Sequence, residues 1–162
     1  MSEGIEIFIC YAREDRVHKD DLVKYIKPLK RDGRIRDWHD GLIEPGADWQ
    51  PEIAAALERC HMALLLISAD FLNSEFIYSV ELKRLFERRR DTGIRIVPII
   101  VRPCLWKEDK RLKGLQAMPQ GDKAIIQHAT ENGDRAQVWT NIVEYLAEYA
   151  WEVSLSPTSS SE

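Results

Sequence analysis

The chain has 162 residues, which is enough for one domain with a substantial hydrophobic core. Hydrophobic residues make up 44% and charged residues 31% of the chain, as in ordinary soluble globular proteins. The net charge of −4 argues against a nucleic-acid-binding protein, because such a protein neutralises phosphates with basic side chains. Apolar runs are too short to cross a bilayer and no secretory signal is visible, so we expect no membrane span and a cytoplasmic location.

Strands and helices alternate from the start of the chain. Residues 5–11 are β-branched and aromatic and lead into a polar turn at 12–15, which predicts a buried first strand. Apolar residues recur at helical spacing over 17–31. Pro28 interrupts that pattern, so we expect a kink or an early helix end there. A short second strand is predicted at 34–38.

The second quarter of the chain contains a loop, a helix and a strand. Residues 39–48 include two glycines and a proline, which indicates a loop. The following helix is expected to bury Ile53, Ala54 and Leu57. Residues 62–67 are almost continuously apolar, as expected for a central parallel strand that is buried on both faces.

The second half predicts two more strands and two long helices. Ser74 can cap a helix that runs to about Arg90, and a buried strand follows at 94–101. Pro98 lies inside this strand, so we expect a bulge or an end-of-strand position there. Further segments are predicted as an edge strand at 123–127 and a helix at 134–151.

The chain is therefore predicted to be one α/β domain at 1–152, followed by a Ser-rich disordered tail or linker at 153–162. Alternating strands and helices favour a doubly wound, parallel, five-stranded sheet of flavodoxin-like type. Ligands of such sheets bind beyond the carboxyl ends of the strands. The loops at 11–15, 39–48, 68–73 and 102–107 form that edge.

Several familiar sites can be excluded from motifs. Neither glycine-rich nucleotide loop occurs, and the nucleophile elbow of α/β hydrolases is missing. The histidines and the three cysteines lack ligand spacing, so we predict no metal site and no disulfide framework. A phosphoacceptor receiver domain could use Glu14, Asp15 and Asp70. The present chain lacks the Ser or Thr that such a domain carries after the fourth strand and the lysine that it carries after the fifth. We therefore reject the receiver domain.

Four segments, taken in order, carry a resemblance to a known family. They are residues 7–15, residues 36–49, residues 64–81 and residues 96–100, and together they span about residues 5–151. The set resembles the Toll/interleukin-1 receptor (TIR) domain of the bacterial type. Many bacterial members cleave NAD⁺ at the nicotinamide–ribose bond. The resemblance thus implies an NAD⁺ glycohydrolase with NAD⁺ as its substrate and no cofactor.

The resemblance identifies Glu81 as the catalytic carboxylate. An ordinary glycosidase also needs a general acid to protonate its leaving group. Nicotinamide in NAD⁺ is already cationic and leaves as a neutral molecule, so one carboxylate can suffice. It would hold the ribose hydroxyls and stabilise the positive charge that develops on the sugar. The alternative is a surface ion pair between Glu81 and Arg84, three residues along a helix.

Tyr11 and Arg13 match family positions after the first strand. Arg13 could pair with a phosphate of the dinucleotide, or form a surface salt bridge with Glu14. Tyr11 could instead be a core residue at the strand end. Ile77 stands where many members carry an aromatic residue, four residues before the glutamate. It would wall the site without offering a stacking surface, while Tyr78 would point about 100° away.

The loop after the second strand supplies the remaining candidates. Trp49 could stack on a base of NAD⁺ or be the first core residue of the second helix. Asp40 could contact ribose or cap the loop, and Gly46 would allow close approach of the backbone to a ligand or a neighbour. Leu42 and Ile43 are apolar loop residues that a solitary domain has little reason to expose.

The family resemblance also implies partners. TIR domains typically act when clustered, with this loop reaching into a neighbour, so we expect weak head-to-tail self-association. The Ser-rich tail suggests a fused or separate sensor domain, as in an effector of antiphage defence. Two alternatives stay open at this point: a non-enzymatic TIR adaptor that recruits other TIR domains, and an effector that interferes with TIR signalling in a host.

Overall fold

The computed structural model describes residues 4–39, 49–121 and 123–155, and the following account concerns these residues. Strands and helices alternate along the chain as the sequence predicts. The strands are β1 (Ile5–Cys10), β2 (Ile35–Trp38), β3 (Met62–Ile67) and β4 (Arg95–Ile100). The helices are α1 (Arg16–Arg31), α2 (Trp49–Arg59), α3 (Ala69–Leu72), α4 (Lys83–Thr92) and α5 (Asp134–Leu155). A π-helical segment, Ile77–Leu82, leads directly into α4.

The strands form one parallel sheet in the order β2-β1-β3-β4. Successive side chains of β1 enter two different hydrophobic clusters because side chains alternate between the faces of a sheet. Ile5, Ile7 and Ile9 pack with α1 and α5, whereas Phe8 and Cys10 pack with α2 and α4. All six residues of β3 are buried, which confirms the predicted central strand. The doubly wound α/β architecture of the prediction is therefore present.

The predicted fifth strand at 123–127 is wrong. Within the described ranges the sheet has four strands, and Ile125–Gln127 form a 3₁₀ turn instead. Its backbone contact with the sheet is the bond from the Ile126 N–H to the carbonyl of Val101, beyond the end of β4. Met118 bridges the outer side of β4 at Ile99. A short apolar run is typical of a strand, but it also occurs in buried turns, so the run at 123–127 does not by itself distinguish the two.

Pro98 occupies a regular position within β4, so the predicted bulge or strand end is also wrong. Its carbonyl accepts a bond from the Met118 N–H, on the side of β4 away from β3. Backbone N–H and C=O groups of one strand residue point to the same side. The donor that proline lacks would therefore face away from β3, and the ladder between the two strands is intact.

One helix passes its predicted interruption, and another runs beyond its predicted end. α1 continues past Pro28 to Arg31, because Pro28 is exposed while Ile26 and Leu29 beside it are buried in the core. α5 continues to Leu155, so residues 153–155, which were assigned to the tail, are helical; residues 156–162 lie outside the described residues.

The buried alanine of α2 is Ala56, whereas Ala54, predicted to face the core, is exposed. None of the helices in the described ranges is long and apolar enough to cross a membrane.

Candidate functional site

An open cleft of about 870 Å³ lies at the carboxyl ends of the strands, where an open parallel sheet is expected to bind its ligands. Its volume falls within the range of small-molecule sites. The walls come from the turn after β1, from α2 and from the segment between β3 and α4. The lining residues are Tyr11, Ala12, Arg13, Glu14, Trp49, Ile53, Asp70, Asn73, Ser74, Phe76, Ile77 and Glu81.

The cleft brings together most of the residues that the sequence singled out. Tyr11, Arg13, Trp49, Ile77 and Glu81 all line it, although they come from three separate segments of the chain. The two other candidates, Asp40 and Gly46, lie outside the described residues, as do Leu42 and Ile43. The common location makes a joint role of the five side chains geometrically feasible, and the binding of a ligand by them stays a prediction.

Glu81 lies in the π-helical segment and lines this cleft. The residue is 7% exposed, and its Oε1 accepts a hydrogen bond from the Cys10 thiol at 2.8 Å. The alternative of a surface ion pair with Arg84 is wrong, because the Arg84 guanidinium contacts Glu58 and Glu87 instead. A carboxylate is costly to bury, so its place in a cleft indicates a functional site.

The π-helical segment changes which side chains share a face with Glu81. Its hydrogen bonds join residues five apart, so Phe76 comes close to the same face as Glu81, together with Ile77. Both line the cleft. Phe76 therefore adds to this wall an aromatic ring, which Ile77 does not offer. Short π-helical segments within helices are frequent at functional sites.

Trp49 packs against Phe76 in the wall of the cleft. The two ring centroids lie 5.2 Å apart at an interplanar angle of 65°, an edge-to-face arrangement. Trp49 is 47% exposed, so it is not the core residue of α2 that the alternative required. The pair offers an apolar, aromatic surface to a planar ligand. Phe76 was missed in the sequence because nothing local signals a π-helical register.

The rim of the cleft carries charges of both signs. Arg13 lies in the 3₁₀ turn Arg13–Asp15 and is exposed. Within the described ranges, no ion pair ties its guanidinium to Glu14 or to another carboxylate. Glu14 and Asp70 line the same cleft. A guanidinium that projects from the rim can reach a phosphate in bidentate fashion.

A buried polar network fixes the loops that form the cleft. Asp15 is fully buried; its Oδ2 accepts a bond from the Ser68 hydroxyl, and its Oδ1 accepts from Arg102 Nε at 3.1 Å. The Ser68 hydroxyl also accepts the N–H of Phe71 at 3.1 Å and so caps α3. The network joins the ends of β1, β3 and β4. These three residues were not recognised together because they are far apart in sequence.

Tyr78 faces away from the cleft, as the helical geometry predicts. Its hydroxyl donates to Asp109, and the Arg111 guanidinium lies over its ring at 5.4 Å. Burial, followed by the bond to Asp109, raises the pKa of Tyr78 well above its usual value, so the hydroxyl stays protonated. This contact fastens the helix that carries Glu81 to the segment after β4.

The arrangement is one buried carboxylate beneath an aromatic wall, with a guanidinium at the rim. Such a site can hold a ligand that has a planar ring and a phosphate, and it can stabilise positive charge near the carboxylate. In the part of the chain that the structure describes, no cluster of three or more His, Cys, Asp or Glu side chains is placed to hold a metal ion.

The chain matches known TIR domains in sequence and in structure. A family model described as a TIR domain matches residues 7–137. The uncharacterized protein y4lF of Sinorhizobium fredii is 36% identical over 121 residues, which are 75% of this chain and 37% of that protein. The chain thus spans little more than a third of the length of this relative.

Solved structures share the fold at low sequence identity. The TIR domain of the Toll-related receptor TRR-2 from Hydra magnipapillata has a TM-score of 0.55 at 22% identity, over 88% of this chain and 98% of that one. The TIR domains of the Roq1 resistosome have a TM-score of 0.51 at 16% identity, over 90% of this chain and 84% of that one. The RPS4 and RRS1 TIR heterodimer has a TM-score of 0.50 at 11% identity, over 95% of this chain and 100% of that one. This chain belongs to the TIR domain family.

Proposed function

We propose that this TIR domain is an NAD⁺ glycohydrolase that cleaves the bond between nicotinamide and ribose. The observation that carries the proposal is the position of Glu81, a buried carboxylate in the lining of a cleft that also contains the ring pair Trp49 and Phe76. The TIR family includes both NAD⁺-cleaving enzymes and scaffolds. A buried carboxylate in an open cleft favours the enzyme, because a scaffold gains nothing from its desolvation cost.

The chemistry requires little of the protein. The bond from the anomeric carbon to the nicotinamide nitrogen breaks, and its electron pair goes to the ring, which leaves as neutral nicotinamide. The sugar becomes cation-like, and the Glu81 carboxylate stabilises this charge and accepts hydrogen bonds from the ribose hydroxyls. Water adds its oxygen to the anomeric carbon and releases one proton, so the products are nicotinamide and ADP-ribose.

The remaining cleft residues position the substrate in this proposal. Trp49 and Phe76 provide apolar and π surface for the cationic nicotinamide ring, which is attracted to aromatic faces. Arg13 pairs with the pyrophosphate. Tyr11 and Ile77 complete the wall. Asp40 and Gly46 retain the roles proposed from the sequence, ribose contact and close backbone approach.

Activity is proposed to depend on clustering. TIR pairs occur in structures such as the RPS4 and RRS1 heterodimer. We propose head-to-tail association of this domain through the loop after β2, and a fused or separate sensor that triggers it in antiphage defence. The relative from Sinorhizobium fredii is long enough to contain further domains beyond the matched segment.

NAD⁺ consumption by concentrated protein, with and without a crowding agent, tests the proposal. Release of nicotinamide that is abolished by Glu81→Gln is the expected result. Glu87→Gln serves as the matched control, because Glu87 is a partly exposed carboxylate on α4 that pairs with Arg84 and does not line the cleft. If light scattering shows assembled protein and NAD⁺ is still not consumed, the domain is a non-enzymatic adaptor, the reading that Ile77 favours.

A further inference from the structure

A thiol contacts the carboxylate on which the proposed function depends. The Cys10 Sγ donates to Glu81 Oε1 at 2.8 Å, and the two residues are 71 positions apart in sequence. Both residues are buried, Cys10 at 1% and Glu81 at 7% exposure. Two buried polar groups from distant segments that meet in this way restrict each other's conformation.

We propose that Cys10 is a positioning residue for the proposed NAD⁺ cleavage, with its S–H group holding one oxygen of Glu81 in a fixed orientation. The catalytic consequence of this contact rests on the proposed function. Its structural part, the hydrogen bond itself, can be tested without any turnover.

The two partners differ in rigidity, and this difference decides which residue orients the other. Cys10 is the last residue of β1, a strand that pairs with β2 on one side and β3 on the other. Glu81 lies in a π-helical segment, whose hydrogen-bond pattern is rare and seldom extends far. The sheet therefore helps to orient the carboxylate, and the thiol is a point of attachment between them. Catalytic groups need such support, since a misplacement of about 1 Å can cost about 100-fold in rate.

A thiol suits this task because it is a weak donor. A guanidinium or ammonium at the same distance would bring a full positive charge against the carboxylate. That charge would offset the negative potential which stabilises the cation-like sugar. Cys10 supplies orientation and leaves the net charge of Glu81 in place.

Infrared spectroscopy of the S–H stretching band tests the contact directly. The three thiols of the chain are Cys10, Cys60 and Cys104. Subtraction of the Cys10→Ser spectrum from the wild-type spectrum isolates the S–H band of Cys10. The Cys10 band is expected at lower frequency than that of a non-bonded thiol, and Glu81→Gln should shift it upward. A Cys10 band that does not move in Glu81→Gln overturns the inference, whether or not the protein cleaves NAD⁺.

Kinetics of the variants test the catalytic consequence. Cys10→Ala removes the donor and is expected to lower kcat about tenfold with little change in KM, the size expected for one hydrogen bond to a charged group. Cys10→Ser keeps a donor and should restore most of the rate. Cys60→Ala is the matched control, because Cys60 is a buried thiol in the same hydrophobic cluster and does not line the cleft.

The outcomes separate the two proposals. If Cys10→Ser and Cys10→Ala lose the same activity while thermal unfolding shows both folded, the thiol acts only through packing and the inference fails. If wild-type protein does not turn over when clustered but the S–H band responds to Glu81→Gln, the contact stands and the proposed function fails.

Discussion

The Arg102 Nε lies 3.1 Å from Oδ1 of Asp15, and this contact joins the residue after β4 to the turn after β1. Asp15 is fully buried, and the Ser68 hydroxyl donates to its other oxygen. Three strand ends are thus held at one carboxylate. Because Glu14 and Arg13 precede Asp15 in the same turn, the contact also sets the position of the cleft rim.

Removal of the cation from this pair should destabilise the fold. Arg102→Leu leaves the Asp15 carboxylate buried with one partner fewer. The free energy of unfolding is expected to fall by about 2 kcal/mol, less than for a fully buried pair because Arg102 is partly exposed. Urea denaturation measures the loss. Arg84→Leu removes only ion pairs that are open to solvent and should cost much less, so equal losses in the two variants would contradict the role of Asp15.

Stability should decrease as the pH falls below about 6.5. Burial lowers the pKa of His61, and the positive Arg36 and Arg88 add to the effect; burial also lowers the pKa of His18. The unfolded chain keeps the ordinary value of 6.5. Below that pH the unfolded state binds more protons than the folded state, so the free energy of unfolding falls until the folded-state groups also titrate.

A variant at His61 isolates one contribution to this pH dependence. His61 Nδ1 accepts the Glu6 N–H at 2.8 Å, and a protonated ring cannot accept. His61→Asn offers an oxygen in a similar place and does not titrate. Its unfolding free energy should therefore depend less on pH between about 7 and 5. Parallel curves for wild type and variant would show that His61 does not contribute.

Arg13 should matter only for substrates that carry phosphate. Arg13→Gln is expected to raise KM for NAD⁺ about tenfold, the loss of one charged hydrogen-bonding interaction, and Arg13→Lys should recover part of it. Cleavage of nicotinamide riboside, which has no phosphate, should change little. Arg16→Gln, an exposed arginine at the start of α1, is the control. An equal loss with both substrates would mean that Arg13 acts through the fold.

The aromatic wall should contribute to NAD⁺ binding through Phe76. Phe76→Leu retains apolar volume but loses the ring and its edge-to-face contact with Trp49. KM is expected to rise about fivefold, in line with the value of an aromatic pair. Phe86→Leu makes the same chemical change on α4, outside the cleft, and should leave KM unchanged. An unchanged KM in Phe76→Leu would assign ring binding to Trp49 alone.

Much of the candidate site could be predicted because its residues occur in short ordered motifs. Arg13 follows a strand, Trp49 begins a helix and Glu81 follows the third strand at a set distance, so each lies near the carboxyl edge of the sheet. Phe76 and Cys10 could not be recognised in this way. Phe76 depends on a π-helical register, and the role of Cys10 depends on a contact across 71 residues.

The amino-acid sequence by itself determined the alternation of strands and helices, because apolar periodicity is a local property that each segment carries alone. It also determined which residues face the core in β1, β3 and α5. Only the tertiary structure decided that β4 is an edge strand, that 123–127 turns instead of pairing, and that Asp15 pairs with Arg102. Buried hydrogen-bonding atoms need partners, and in these three cases the partners come from distant parts of the chain. Which groups meet is decided only when the chain packs.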